Sequence, residues 1–306
     1  MWPFDRDPVL VLYVTTLALH AVFVGYVVAG TAYALVRRDA VADTIRDRLP
    51  FMLGCGITAG VAPLLFVQLL HQRRFYTANL LLGPRWMAIV PALIAGFYAL
   101  YLAKKSDRWR RVALCGALAC FVFVGWSWSE LHELMAADAA WREFYAAGHR
   151  VFLAGAIAPR VVVAFAAMTT LFAMVAAWSA DGPGRTRLAL IAVVARIVAI
   201  GGALWLWRAG FAVDGPAQAW LGVLGAAVVV ELAAWIVAIR RPTDGALGVA
   251  TAAGTGALLA AVVVREAPRI VLVEPSPGGS GGLAFALCAV LGAAAIAWIV
   301  RVTRVG

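Results

Sequence analysis

Of the 306 residues, 64% are apolar and only 14% charged, against roughly a quarter charged in an ordinary soluble domain, so little of the surface is built to face water. The net charge of +10 is carried by short Lys/Arg clusters at the ends of apolar runs, a pattern of anionic-lipid contact and membrane topology that excludes the single basic face of a nucleic-acid-binding protein. The runs are about 20 residues long, enough for a helix to cross a ~30 Å hydrocarbon core, and lack the period-two alternation of barrel strands.

The expected fold is therefore all-α, a polytopic integral membrane bundle of about nine transmembrane helices. Taken in chain order, the predicted spans are residues 9–36, 50–70, 86–103, 111–127, 160–179, 188–207, 219–239, 246–264 and 283–302. The opening Met1-Trp2-Pro3-Phe4-Asp5-Arg6-Asp7 lacks the basic leader and small-residue cleavage site of a signal peptide, so the first span is expected to be retained. Alternate connections carry 15 and 10 Lys/Arg residues. The richer set, with Arg37, Arg38, Lys104, Lys105, Arg185, Arg187, Arg240 and Arg241, is expected in the cytoplasm. That places the N-terminus outside and the C-terminus inside a bacterial-type cytoplasmic membrane. Trp86, Trp126, Trp128, Trp205, Trp207 and Trp220 then form an outer aromatic belt, with Trp109, Trp178, Trp235 and Trp298 near the inner interface.

Within the first span, His20 lies eleven residues from its start. A neutral imidazole at that depth either hydrogen-bonds a neighbouring helix or ligates a haem iron through its free nitrogen. The other histidines, His71, His132 and His149, fall at or beyond the outer ends of spans. Met168 or Met174 is then the only kind of second haem ligand at depth, and such methionines are usually packing residues. In the second span, Gly56-Ile57-Thr58-Ala59-Gly60 has the small-xxx-small spacing of close helix contact. Cys55, Cys115, Cys120 and Cys288 sit inside apolar runs and are expected to be buried packing residues. Residues 130–150 place Leu131, Leu134, Met135, Trp141, Phe144 and Tyr145 near helical spacing, predicting an amphipathic helix on the outer surface. The 160–179 span starts near Pro159, which would kink or end any earlier helical turn.

Further along, Arg196 and Glu231 are the clearest charges deep inside spans, where an unpaired charge is expensive. Each lies eight residues from the cytoplasmic end of its span, about 12 Å deep on sequential antiparallel helices. An intramembrane ion pair is predicted, read first as a structural lock and second as a proton, quinone or transport site. Gly201-Gly202 and Gly254-x-Gly256 are places where two later helices could soften. The Pro/Gly/Ser-rich stretch 275–282 is a flexible loop with no phosphate-binding context. No nucleophile, base and orienting group can be assembled, so the chain is not expected to be an enzyme on its own.

Several of these elements together resemble subunit I of the cytochrome bd quinol oxidases. They are His20-x-x-Phe23-Val24, the Gly56 to Gly60 run, Phe66, Gln68 and Phe75-Tyr76-Thr77, Phe123-Val124-Gly125-Trp126, and Ala177-Trp178. The resemblance covers the first five helices and implies a unit over residues 1–180, followed by a four-helix half over 181–306. It implies His20 as an axial ligand of a b-type haem. The chain departs from the family's pattern after His149, where no further histidine occurs, in the 86–103 span, which has no glutamate, and between Arg208 and Gln218, where a long quinol-binding loop would lie. The resulting expectation is a membrane subunit of a respiratory electron-transfer complex, non-catalytic or holding at most one haem b at His20. Other membrane or periplasmic subunits, and a quinone, would be its partners. Two alternatives stand beside it: a haem-free scaffold or anchor subunit, and a small-solute or ion transporter using Arg196 and Glu231.

Overall fold

Capping oxygens set several of the helix starts. Asp39 accepts from the Ala42 amide at 2.9 Å, Asp181 from the Gly184 amide at 2.8 Å, and Thr243 from the Ala246 amide at 3.3 Å, each satisfying a donor that the first helical turn cannot. In the computed structural model, which describes residues 8–148, 150–213 and 215–273, these caps open the second, ninth and eleventh helices. The order is α1 (Pro8–Val36), α2 (Ala40–Leu70), α3 (Gln72–Leu82), α4 (Pro84–Met87), α5 (Ile89–Lys105), α6 (Arg110–Ala136), α7 (Trp141–Ala146), α8 (Ile157–Ala176), α9 (Gly182–Arg208), α10 (Gln218–Arg240) and α11 (Asp244–Ile270). No strand occurs among the described residues.

Eight segments are long and apolar enough to cross a membrane: α1, α2, α4 with α5, α6, α8, α9, α10 and α11. The chain is thus a multi-pass helical membrane protein in contact with lipid. Its predicted ninth span, 283–302, lies outside the described residues, as do the 275–282 loop, Cys288, Trp298 and His149. Successive spans reverse direction, so one end of the bundle gathers the start of α1 and the ends of α2, α6 and α11. We call it the N-terminal end.

The opposite end holds most of the basic clusters, and its charges tie the helices together. Arg110 donates to Asp43 at 2.6 Å and to the Ala34 and Arg37 carbonyls. Arg187 reaches Asp39 at 2.5 Å, and Arg185 reaches Asp244 at 2.7 Å. Burial works against the charge on Asp39, yet the Ala42 amide and the guanidiniums of Arg187 and Arg37 hold its carboxyl below the ordinary carboxylate range.

Helix α1 is the hub, packing on α2, α6, α8 and α11. Its glycines make this possible. A Cβ at Gly25 would lie 3.0 Å from the Met168 carbonyl oxygen, and one at Gly30 would crowd Ile45, Leu49 and Phe172. On the other side of the bundle, α9 and α11 pack against α8, and α10 packs against both α9 and α11. Gly202 of α9 lies against Val162 and Val163, and Gly254 of α11 against Met174 and Glu231. Both glycines serve contact within continuous helices rather than the softening expected from sequence.

Several expectations need correction. Residues 130–150 do not form one surface helix: α6 continues through Ala136, a short turn follows, and α7 is separate. Leu131, Leu134 and Met135 are buried in a core shared with α1, α2, α3 and α11, because α3 and α11 cover a face that sequence periodicity left open to solvent. Helix α2 starts ten residues before the predicted span and runs through Pro50 and Pro63. Carboxylates such as Asp43, Glu130 and Glu133 therefore lie on spanning helices. Helix α8 begins at Ile157, which places Pro159 in its first turn, where its missing N–H costs nothing. Cys115 is exposed and Cys55 and Cys120 are half-buried, so these are not core cysteines. Trp235 is not an interface residue, since it is fully buried beside Glu231.

Candidate functional site

Three groups of polar residues among the described residues bear on function, of which sequence identified two. His20 lies in the seam between α1 and α2. Its Nδ1 is 2.9 Å from the Gly56 carbonyl oxygen, and because a carbonyl can only accept, Nδ1 carries a proton, which in the neutral ring leaves the lone pair on Nε2. The ring rests on Gly60, where a Cβ would come within 2.7 Å of its Cε1. Gly56 thus supplies the carbonyl that orients the imidazole, and Gly60 the space that the ring occupies.

An imidazole held by a carbonyl at one nitrogen and free at the other is the donor a metal ion or haem iron uses. The described residues fit one such bond. His71 and His132 lie buried at the N-terminal end, and the Met174 sulfur is packed against Gly254. No group of three or more His, Cys, Asp or Glu residues among the described residues could hold a metal ion.

Arg196 and Glu231 do meet. Arg196 Nη2 donates to Glu231 Oε2 at 2.6 Å, and Trp235 Nε1 donates to the other carboxylate oxygen at 3.3 Å. The Arg196 side chain is 9% exposed and that of Glu231 1%. The pair ties α9 to α10, and Gly254 lets the carboxylate lie against α11.

The third place escaped sequence reading. At the N-terminal end, Tyr13 of α1 donates to Glu266 of α11 at 3.0 Å and accepts from Arg269 at 3.1 Å. Arg269 also pairs directly with Glu266, whose second oxygen takes Arg265 at 2.9 Å. His132 of α6 lies between two guanidiniums, 3.3 Å from Arg160 and 3.3 Å from Arg265. Arg160 of α8 pairs in turn with Glu133. His71, at the end of α2, is 2% exposed and its Nδ1 has no hydrogen-bond partner. Burial first, and then the Arg269 guanidinium, lower its pKa to about 4, so this imidazole is neutral near pH 7. The network thus links α1, α6, α8 and α11, with His71 buried at the same end of the bundle, where α2 stops.

A signal for this network existed in the sequence. Arg265, Glu266 and Arg269, like Glu130, His132 and Glu133, recur at helical spacing just past predicted span ends. The first three fall just past the expected 246–264 span and the second three in the stretch expected as a surface helix, so neither set is expected inside the bundle from sequence. No family model matches the chain, and no curated protein sequence matches it significantly. The cytochrome bd resemblance accordingly rests on its motifs alone.

Proposed function

We propose that the chain is an integral membrane subunit of a respiratory electron-transfer assembly, holding at most one b-type haem, with His20 as its axial ligand. The observation that carries this reading is the His20 geometry, a neutral imidazole oriented by the Gly56 carbonyl with its other nitrogen free. A haem bound there would supply one-electron transfer. The protein's part is to fix the ring through Gly56 and Gly60. The same reading places the N-terminal end outside a bacterial cytoplasmic membrane and the Arg-rich opposite end in the cytoplasm.

The Arg196–Glu231 pair supports a locking role. Arg196 donates to one Glu231 oxygen and Trp235 to the other, so the carboxylate closes α9 onto α10 within its own seam. A haem-free scaffold subunit is the second reading, favoured by the closeness of the His20 ring to Gly60, which is what simple seam packing would require. Oxidised and reduced visible spectra of the purified chain, with a pyridine haemochrome assay, separate the two. A b-type signal lost in His20→Ala establishes the redox subunit, whereas a colourless chain leaves the scaffold.

A further inference from the structure

At the N-terminal end, donors outnumber the acceptors that face them. His132 shows this most directly. Arg160 Nη1 lies 3.3 Å from its Nε2, and Arg265 Nη2 lies 3.3 Å from its Nδ1. A guanidinium only donates, while a neutral imidazole offers one lone pair and an imidazolium none. At least one of the two contacts is therefore donor against donor, and the guanidinium on that side has an N–H without an acceptor. Deeper in, Arg269 Nη1 donates to the Met135 sulfur at 3.8 Å, a weak acceptor. The Nε atoms of Arg160 and Arg269 are buried without a hydrogen-bond partner among the described residues.

Charge is out of balance in the same place. Three guanidiniums, of Arg160, Arg265 and Arg269, share the two carboxylates of Glu133 and Glu266, so the cluster is one negative charge short. Arg74, at the same end, is matched by Asp138. An orphan Nε alone would say little: Arg196 has one too, but Glu231 matches its charge one to one. A buried surplus of positive charge is expensive unless an anion compensates it. Arg160 is 9% exposed, and Phe211, from the connection after α9, lies over its guanidinium at 5.4 Å. The Arg265 side chain, 38% exposed, is the open side of the cluster.

We propose that a singly charged phosphate oxyanion seats between Arg160 and Arg265 beside His132, where α6, α8 and α11 meet. One negative charge matches the surplus. Donors arriving from three helices suit an acceptor whose oxygens point in several directions, and the planar forks of arginine match phosphate oxygens better than a spherical halide. With the anion in place, the idle guanidinium N–H groups turn to its oxygens, and His132 keeps one arginine through its lone pair. Free dihydrogen phosphate and the phosphodiester of a phospholipid offer the same chemistry. The proposal does not depend on the haem reading.

The test is calorimetric titration of the full chain, delipidated in phosphate-free dodecyl maltoside, with inorganic phosphate or chloride at matched ionic strength. A slightly acidic buffer keeps phosphate mostly singly charged. Phosphate is expected to bind saturably and chloride not to replace it. Arg265→Gln should weaken phosphate binding about ten- to hundredfold, the usual loss for a hydrogen bond to a charged group, while Glu266 keeps Arg269. Arg160→Lys retains the charge beside Glu133 but loses the fork, and should also weaken binding. Arg74→Gln lies outside the cluster and should leave binding unchanged, with circular dichroism and elution volume checking the fold of all three. Competition by phosphatidylglycerol assigns the site to a lipid phosphodiester, and indifference to it assigns a free anion. A chain that binds neither phosphate nor phosphatidylglycerol saturably overturns the proposal, as does unchanged binding in Arg265→Gln and Arg160→Lys, or chloride binding as strong as phosphate. An equal loss in Arg74→Gln also overturns it, because net charge rather than a site would then hold the anion.

Discussion

Arg196 and Glu231 meet across two sequential helices, 35 residues apart in the chain, and close on each other with one tryptophan in attendance. Glu266 sits in a different kind of site: Tyr13 reaches it from 253 residues away, two arginines reach it from its own helix, and through His132 the network extends to α6 and α8. The first site locks neighbours that a short connection already holds together. The second fastens the first described helix to the last, and so carries the closure of the N-terminal end. Local pairs fix a seam, while long-range networks fix the arrangement of the bundle.

That contrast is most sharply broken at Glu266. Glu266→Ala leaves Arg265 and Arg269 without their carboxylate and is expected to cost about 3–5 kcal/mol, read as thermal unfolding in detergent. A loss below about 1 kcal/mol would mean that water already satisfies the network. Glu231→Ala should cost about 3 kcal/mol by stranding Arg196, and Arg196→Met combined with Glu231→Leu should recover most of it, because a well-packed apolar pair replaces a buried ion pair at little cost. If the double variant is no better than the single one, packing against Trp235 and Gly254 holds that seam, not charge.

Proton linkage probes the N-terminal end alone. His71 has a native pKa lowered to about 4, whereas an unfolded histidine titrates near 6.5. The unfolded state therefore takes the proton first, and stability should fall as pH drops from about 6.5 toward 4, by up to about 3 kcal/mol. Unfolding midpoints across that range should show a slope that His71→Gln flattens. An unchanged slope would place the titration elsewhere. The smallest effect is expected at the α1–α2 seam. Gly60→Ala pushes a methyl into the His20 ring and should cost about 1–3 kcal/mol, the usual range for overpacking, and combining it with His20→Ala should remove the penalty. A penalty that persists would mean that backbone approach, not the imidazole, requires glycine there.

Much of this architecture could be read from the chain itself. Apolar run lengths located all eight described spans, and to within a few residues for α1, α8 and α10, since a bilayer imposes its thickness on any helix that crosses it. Equal depth on sequential antiparallel helices foretold the Arg196–Glu231 pair, and the spacing of Gly56 and Gly60 foretold a close contact without naming His20 as its occupant. The start of α2 and the ends of α6 and α11 were misjudged because hydropathy registers the loss of apolar character and not the continuation of the backbone ladder, which goes on wherever another helix covers the next turn. Arg265, Glu266 and Arg269 look like loop charges in sequence, and only the packing of α11 against α1 and α6 turns them into a buried network. The charge of each residue and its helical phase were fixed by the chain. Whether that charge met water, lipid or a partner was decided by which distant helix came to lie against it.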